Sequence, residues 1–126
     1  MAKTATVSDQ LPEPAGPYSH VVEQNGIVYT AGFGPQDPAT GAVPVGIAAQ
    51  TEQVISNLET ALDRVGLTLA DVVKTTMHLQ DLADFSACNE VYARRFSEPY
   101  PVRTTVGSDL PNILVEVDAV AMRSDS

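Results

Sequence analysis

Apolar residues recur with a period of two in the first structured stretch. Val21-Val22 and Ile27-Val28-Tyr29-Thr30 flank Asn25-Gly26, and "SHVVEQNGIVYTAG" predicts a hairpin. Asn-Gly suits a type I′ turn because both central positions need positive φ. "GFGPQDPATGAVP" breaks the alternation and predicts a loop containing the turn "DPATG". The period then lengthens. Val54, Ile55, Leu58, Ala61, Leu62 and Val65 form one stripe at helical spacing, which predicts a helix over 48–65 closed by Gly66. "VVKTTMHLQ" alternates again, with Val73, Thr75, Met77 and Leu79 on one side and Val72, Lys74, Thr76, His78 and Gln80 on the other. Phe85, Cys88, Tyr92 and Phe96 mark a second helix, with Asp84 as N-cap and Pro99 and Pro101 ending it. Strand 102–106 follows. "LPN" turns the chain into a last strand whose alternates Ile113, Val115, Val117, Ala119 and Ala121 are all apolar.

The predicted order is strand, strand, loop, helix, strand, helix, strand, strand. That order implies a single α+β domain over 1–126, with both helices on one face of a sheet. Residues 1–15 read as an irregular N-terminal arm or a short edge segment, because the first 17 residues are polar and carry Pro12, Pro14 and Pro17. The face away from the helices is expected to hold Lys74, His78, Arg103, Glu116 and Asp118 among apolar neighbours. Such a mixed face either meets water or is covered in an oligomer.

Charge narrows the function. Seven Lys+Arg stand against 16 Asp+Glu, a net charge of −9. A nucleic-acid surface rests on cationic contacts, so no nucleic-acid partner is expected, and an anionic membrane is disfavoured likewise. No segment reaches the length of an apolar membrane span, and no apolar leader is seen. With one cysteine, no disulfide closes within the chain, and a cytoplasmic location is the expectation. No phosphate-binding loop, nucleophile elbow or zinc signature is present. Two histidines and one cysteine make a poor zinc set, so no metal is expected. Cys88 reads as a small hydrophobe of its helix stripe, and His78 as a partly buried strand residue.

Arg103 and Glu116 raise the sharpest question. They are expected on neighbouring strands joined by a short turn, sharing the face away from the helices. Two readings stand: a cross-strand ion pair, or an arginine aimed at a carboxylate ligand beside an acid that handles water. "GPYSH" and "TAGFGP" are bracketed by glycines, which read as turns or as places where backbone amides approach a ligand.

Taken together, "GPYSH", "VYTAG", "DPATGAV", "AAQTEQVISNLETAL", "GLTLADVVKTTMHLQDLADFSACNEVYARRF", "YPVRTTV" and "ILVEVDAVA" resemble the RidA family (reactive intermediate deaminase A, also called YjgF/UK114) from about Pro14 to Arg123. The resemblance implies a chorismate-mutase-like α+β fold of the bacillus type, a homotrimer with clefts between subunits, and no cofactor. It implies an enzyme, a 2-iminobutanoate/2-iminopropanoate deaminase-like hydrolase that converts 2-aminoacrylate-type enamines and imines to 2-oxo acids and ammonia. Arg103 then matches a carboxylate anchor and Glu116 the acid that places water. Tyr18, Gly32, Phe33, Asn89 and Thr105 match substrate-binding positions. Ala31 stands where many members have serine, Phe33 where glutamine is frequent, and Thr105 where many have cysteine. Those departures suit either a specialised relative acting on a bulkier imine or a non-catalytic trimeric module that binds small carboxylates.

Overall fold

The computed structural model describes residues 2–124; Met1, Asp125 and Ser126 of the predicted 1–126 domain lie outside the described residues. Six strands and two helices follow in the order β1 (Thr4–Thr6), β2 (Val21–Gln24), β3 (Ile27–Thr30), α1 (Ile47–Asp63), β4 (Val72–Leu79), α2 (Phe85–Arg95), β5 (Val102–Gly107) and β6 (Val115–Met122). They make one mixed sheet in the spatial order β1-β2-β3-β6-β4-β5, with β5 parallel to β4 and the other neighbours antiparallel. Both helices cover one face, as the periodicity predicts.

The β2–β3 hairpin turns at Asn25 (φ 55°) and Gly26 (φ 77°), the left-handed pair that its sequence calls for. α1 buries Val54, Ile55, Leu58, Ala61 and Leu62 against the sheet. It ends as Gly66 takes φ 77° and the Leu67 amide donates back to the Leu62 carbonyl at 2.9 Å. The sheet side of the core is supplied by Thr75, Met77 and Leu79 of β4 and by Val115, Val117, Ala119 and Ala121 of β6. β6 is central because its whole alternate set is apolar. β5 is an edge because Val102, Thr104 and Val106 stay exposed.

Of the two readings of the N-terminal arm, Thr4–Thr6 takes the second, a short edge strand paired to β2. Three sequence expectations are corrected. Val73 is exposed, because β4 bulges between Val72 and Lys74 and moves Val72 into the core instead. Asp84 makes no side-chain cap; the Asp81 carboxylate accepts from the Ala83 amide at 2.9 Å at the start of the 3-10 turn before α2. Finally, β5 and β6 are not neighbours: β4 lies between them.

Candidate functional site

Register decides which way each candidate side chain points. Arg103 pairs with Thr75 and Thr105 with Met77, so both lie on the helix-covered face. Glu116 pairs with His78 on the uncovered face. The expectation that Arg103 and Glu116 share a face is therefore wrong within one chain, and so is the cross-strand ion pair. β5 presents Arg103 and Thr105, rather than Val102, Thr104 and Val106, to the helices, and its strand partner is β4 rather than β6.

The Arg103 side is built on α2. Phe85, Asn89 and Tyr92 fall at i, i+4 and i+7 and so share one helical face. The guanidinium carbon lies 5.4 Å from the Phe85 ring centre and 4.7 Å from that of Tyr92. Arg103 Nη2 donates to Asn89 Oδ1 at 2.5 Å. Tyr92 is itself fixed, sharing a 2.8 Å hydrogen bond with the Thr75 hydroxyl and stacking on Phe96 at 4.3 Å between ring centres. Burial pushes the Tyr92 phenol up from its ordinary value, only partly offset by Thr75 and Arg103, so it stays protonated at neutral pH and acts as a wall. The Cys88 thiol is likewise pushed up by burial, which removes it as a nucleophile. Among the described residues Arg103 has no carboxylate at ion-pair distance. A cavity of ≈ 310 Å³ opens beside it, lined by Asn89, Tyr92, Ala93, Tyr100 and Pro101. Phe85, Tyr92 and Tyr100 were not singled out for the site from sequence; the i, i+4, i+7 spacing around Asn89 was the signal.

The Glu116 side is made by an irregularity. From Tyr29 to Phe33 the chain takes four steps, while from Val120 to Val117 its partner takes three. This extra residue is a β-bulge, and the Thr30 hydroxyl, which accepts from the Ala119 amide at 3.0 Å, holds it. The bulge turns Phe33 into the core, where it is 4% exposed. It also leaves Gly32 directly against Glu116: a Cβ built on Gly32 would collide with the Glu116 carboxylate. Among the described residues that carboxylate has no hydrogen-bond or ion partner. Tyr18, 49% exposed, stands beside it with its hydroxyl accepting from the Ala15 amide at 3.0 Å. Tyr18, Ala31, Gly32 and Glu116 line both of two adjoining cavities, of ≈ 670 and ≈ 320 Å³.

The predicted residues thus fall into two groups. Arg103, Asn89 and Thr105 belong to one face; Glu116, Tyr18 and Gly32 gather at the other, with the core residue Phe33 reaching only the wall of the smaller cavity. His78 joins neither cavity. Its ring bridges the Ser108 hydroxyl (3.0 Å) and Asp118 (3.1 Å) on the uncovered face. The first group offers a planar, fixed cation to an anion; the second offers a free carboxylate beside a backbone that no side chain crowds. No group of His, Cys, Asp and Glu among the described residues is arranged to hold a metal ion, and no described helix is long and apolar enough to cross a membrane.

Comparison with known proteins places the chain. The family model described as Endoribonuclease L-PSP matches residues 8–123. A RutC family protein of Pyrococcus abyssi is 41% identical over 98% of this chain and 99% of its own. The 2-iminobutanoate/2-iminopropanoate deaminase of Escherichia coli K12 is 35% identical over 98% of this chain and 99% of its own. Among solved structures, RidA from a Psychrobacter species superposes with a TM-score of 0.91 at 36% identity, covering 95% of this chain and 99% of that one. The six-stranded mixed sheet with two helices is the fold of these proteins, and the chain belongs to the L-PSP family that includes RidA.

Proposed function

We propose that the protein hydrolyses reactive 2-imino acids, of the kind formed from 2-aminoacrylate-type enamines, to 2-oxo acids and ammonia in the clefts of a homotrimer. One observation carries the reading: an arginine without an ion partner and a carboxylate without any partner among the described residues lie on opposite faces of the same sheet. One chain cannot bring them together, whereas a ring of copies can set the Arg103 face of one against the Glu116 face of the next. The name of the Escherichia coli relative supports the same chemistry.

Arg103 takes the substrate carboxylate in a bidentate grip, and Asn89, Phe85 and Tyr92 hold its guanidinium in orientation. The imine carbon then lies over Gly32. Glu116 accepts a hydrogen bond from water and takes its proton as the oxygen attacks that carbon. Glu116 passes that proton to the imine nitrogen, giving a tetrahedral carbinolamine. It then takes the proton of the new hydroxyl and hands it to the amine nitrogen as the C–N bond breaks, so that ammonia leaves and the carbonyl of the 2-oxo acid forms. Most of the acceleration comes from placing water and substrate at reacting distance. The family description names a ribonuclease, but 7 Lys+Arg against 16 Asp+Glu leave few contacts for a phosphate backbone.

The test is complementation between subunits. Arg103→Ala and Glu116→Gln are each expected to abolish hydrolysis of imines generated by an amino-acid oxidase, read as competition with semicarbazide. Co-expressed under two tags and purified as mixed trimers, every ring holds one intact site of three, so about a third of wild-type activity returns. Mixed trimers as inactive as their parents would show that the residues do not meet across subunits. Full activity in Arg103→Ala would remove the carboxylate anchor altogether.

A further inference from the structure

We infer that the ≈ 320 Å³ cavity beside Glu116 is the side-chain compartment of the site, and that it selects 2-imino acids with a neutral, branched or aromatic side chain. This rests on the imine-hydrolysis reading and names its substrate class.

The two cavities that meet at Glu116 differ in kind. The larger includes Lys3, Ser19 and Thr30 and opens among the residues of the uncovered sheet face, Val22 and Tyr29. In the proposed ring of copies the Arg103 face of a neighbour packs on this sheet face, which makes it the carboxylate end. The smaller runs the other way, between the arm and the two turns that follow β3 and β5. Its walls are mainly Pro12, Pro14, Ala15, Phe33, Pro111 and Ile113. A 2-imino acid whose reacting carbon lies over Gly32, with its carboxylate toward the sheet face, has its side chain directed between these walls.

The compartment is preformed, which lowers the ordering cost of binding. Buried Asn57 donates from Nδ2 to the Gly34 and Gln36 carbonyls at 3.0 and 2.9 Å, pinning the floor. His20 pins the arm: Nδ1 accepts from the Ser8 amide at 2.9 Å and Nε2 pairs with the Pro12 carbonyl at 2.7 Å. Gly34 lets Gln36 and Ile113 close over it, since a Cβ there would lie 2.5 Å from Gln36 Oε1 and 3.2 Å from Ile113 Cδ1.

Charge sets the second half of the selection. Glu13 and Glu116 both line the compartment, and no lysine or arginine does. A side chain ending in a carboxylate meets like charge and loses hydration there. Apolar bulk gains: each methylene in such a pocket is worth roughly tenfold or more in discrimination.

The experiment compares imines generated in situ from alanine, leucine, phenylalanine and glutamate, with wild type and Ala15→Trp. Ala15 is exposed on the arm, so the new indole fills the compartment without disturbing the core. Wild type is expected to favour the leucine and phenylalanine imines over those of alanine and glutamate by at least about tenfold in kcat/KM. In Ala15→Trp the leucine-to-alanine ratio is expected to fall by about the same factor. Inhibition by the product-like 4-methyl-2-oxopentanoate should likewise exceed inhibition by pyruvate, and that preference should be lost in the variant. Hydrolysis with no preference, with equal rates on the glutamate imine, or with a ratio untouched by Ala15→Trp would overturn the compartment and leave the imine reading standing. No hydrolysis of any imine by wild type would overturn both.

Discussion

On one face of the sheet Arg103 is aimed by regular structure. Its neighbours Phe85, Asn89 and Tyr92 are spaced as one helical face, and Thr105 follows it at strand spacing. On the other, Glu116 is exposed to its cavities by departures from regular structure: a bulge at β3, a glycine with no room for a side chain, and an arm pinned by His20. The two differ in what they tolerate. A helical face spreads the positioning of one group over several contacts, so losing one loosens the group without displacing it. The bulge side depends on one residue count and one missing Cβ, so a single methyl group displaces the carboxylate it exposes.

The largest expected effect is therefore on the Glu116 side. Gly32→Ala places a methyl group where the Glu116 carboxylate lies. The carboxylate has to swing away, and displacement of a catalytic group by about 1 Å costs on the order of 100-fold in rate. The expectation is a kcat lower by about that factor with a small change in melting temperature. A variant with unchanged kcat would mean that Glu116 does not act from this position.

On the Arg103 side Asn89→Ala is expected to be milder. It removes the 2.5 Å hydrogen bond but leaves the guanidinium between two rings. A contact used equally by bound substrate and transition state raises KM alone, here by about tenfold. Asn89→Asp sharpens the point. It keeps the shape and gives Arg103 an internal carboxylate to compete with the substrate, so it should raise KM more than alanine does. If Ala and Asp were equivalent, Arg103 would not be the carboxylate anchor.

The same contrast explains what the sequence disclosed. Period-two and period-3.6 patterns placed both helices, the hairpin and the apolar face of β6, because burying a face imposes its repeat on the chain. They also put Thr105 on the side of Arg103, as the register has it. Strand order is another matter. A short connection after β5 suggested an antiparallel neighbour, yet Ser108 and Leu110 pair with Leu79 and Gln80 and carry the chain past the end of β4. Nothing in local alternation distinguishes those routes. Bulges escape for a related reason: one inserted residue puts the side chains on its two sides out of step, as at Val73 and Phe33, and no single residue type announces it. The family resemblance supplied Tyr18, Gly32 and Asn89, which periodicity alone left as turns and helix surface.

The smallest effect tests whether the Arg103 side depends on how α2 is docked. Arg94 and Arg95 of α2 reach across to Glu52 of α1, and Arg95 also pairs with Glu59. The Arg95 hydrogen bond, helped by Arg94, holds the Glu52 carboxyl below its ordinary value of 4.5. The unfolded chain therefore binds a proton at Glu52 more readily than the folded one. Its contribution is present in full above the ordinary carboxylate range and is lost as pH falls through 4.5 and below. Glu52, Glu59 and Arg94 are solvent-exposed and only Arg95 is half-buried, so the contribution is at most about 1 kcal/mol and shrinks with salt. Amide protection in α2, taken relative to the intrinsic exchange rate at each pH, should fall on acidification more than protection in β3 and β6, and Glu52→Gln should flatten that difference. An equal fall in protection in α2 and in the strands beside Glu116 would show that the two faces share one stability, and that the helical side owes nothing separate to its ion pairs.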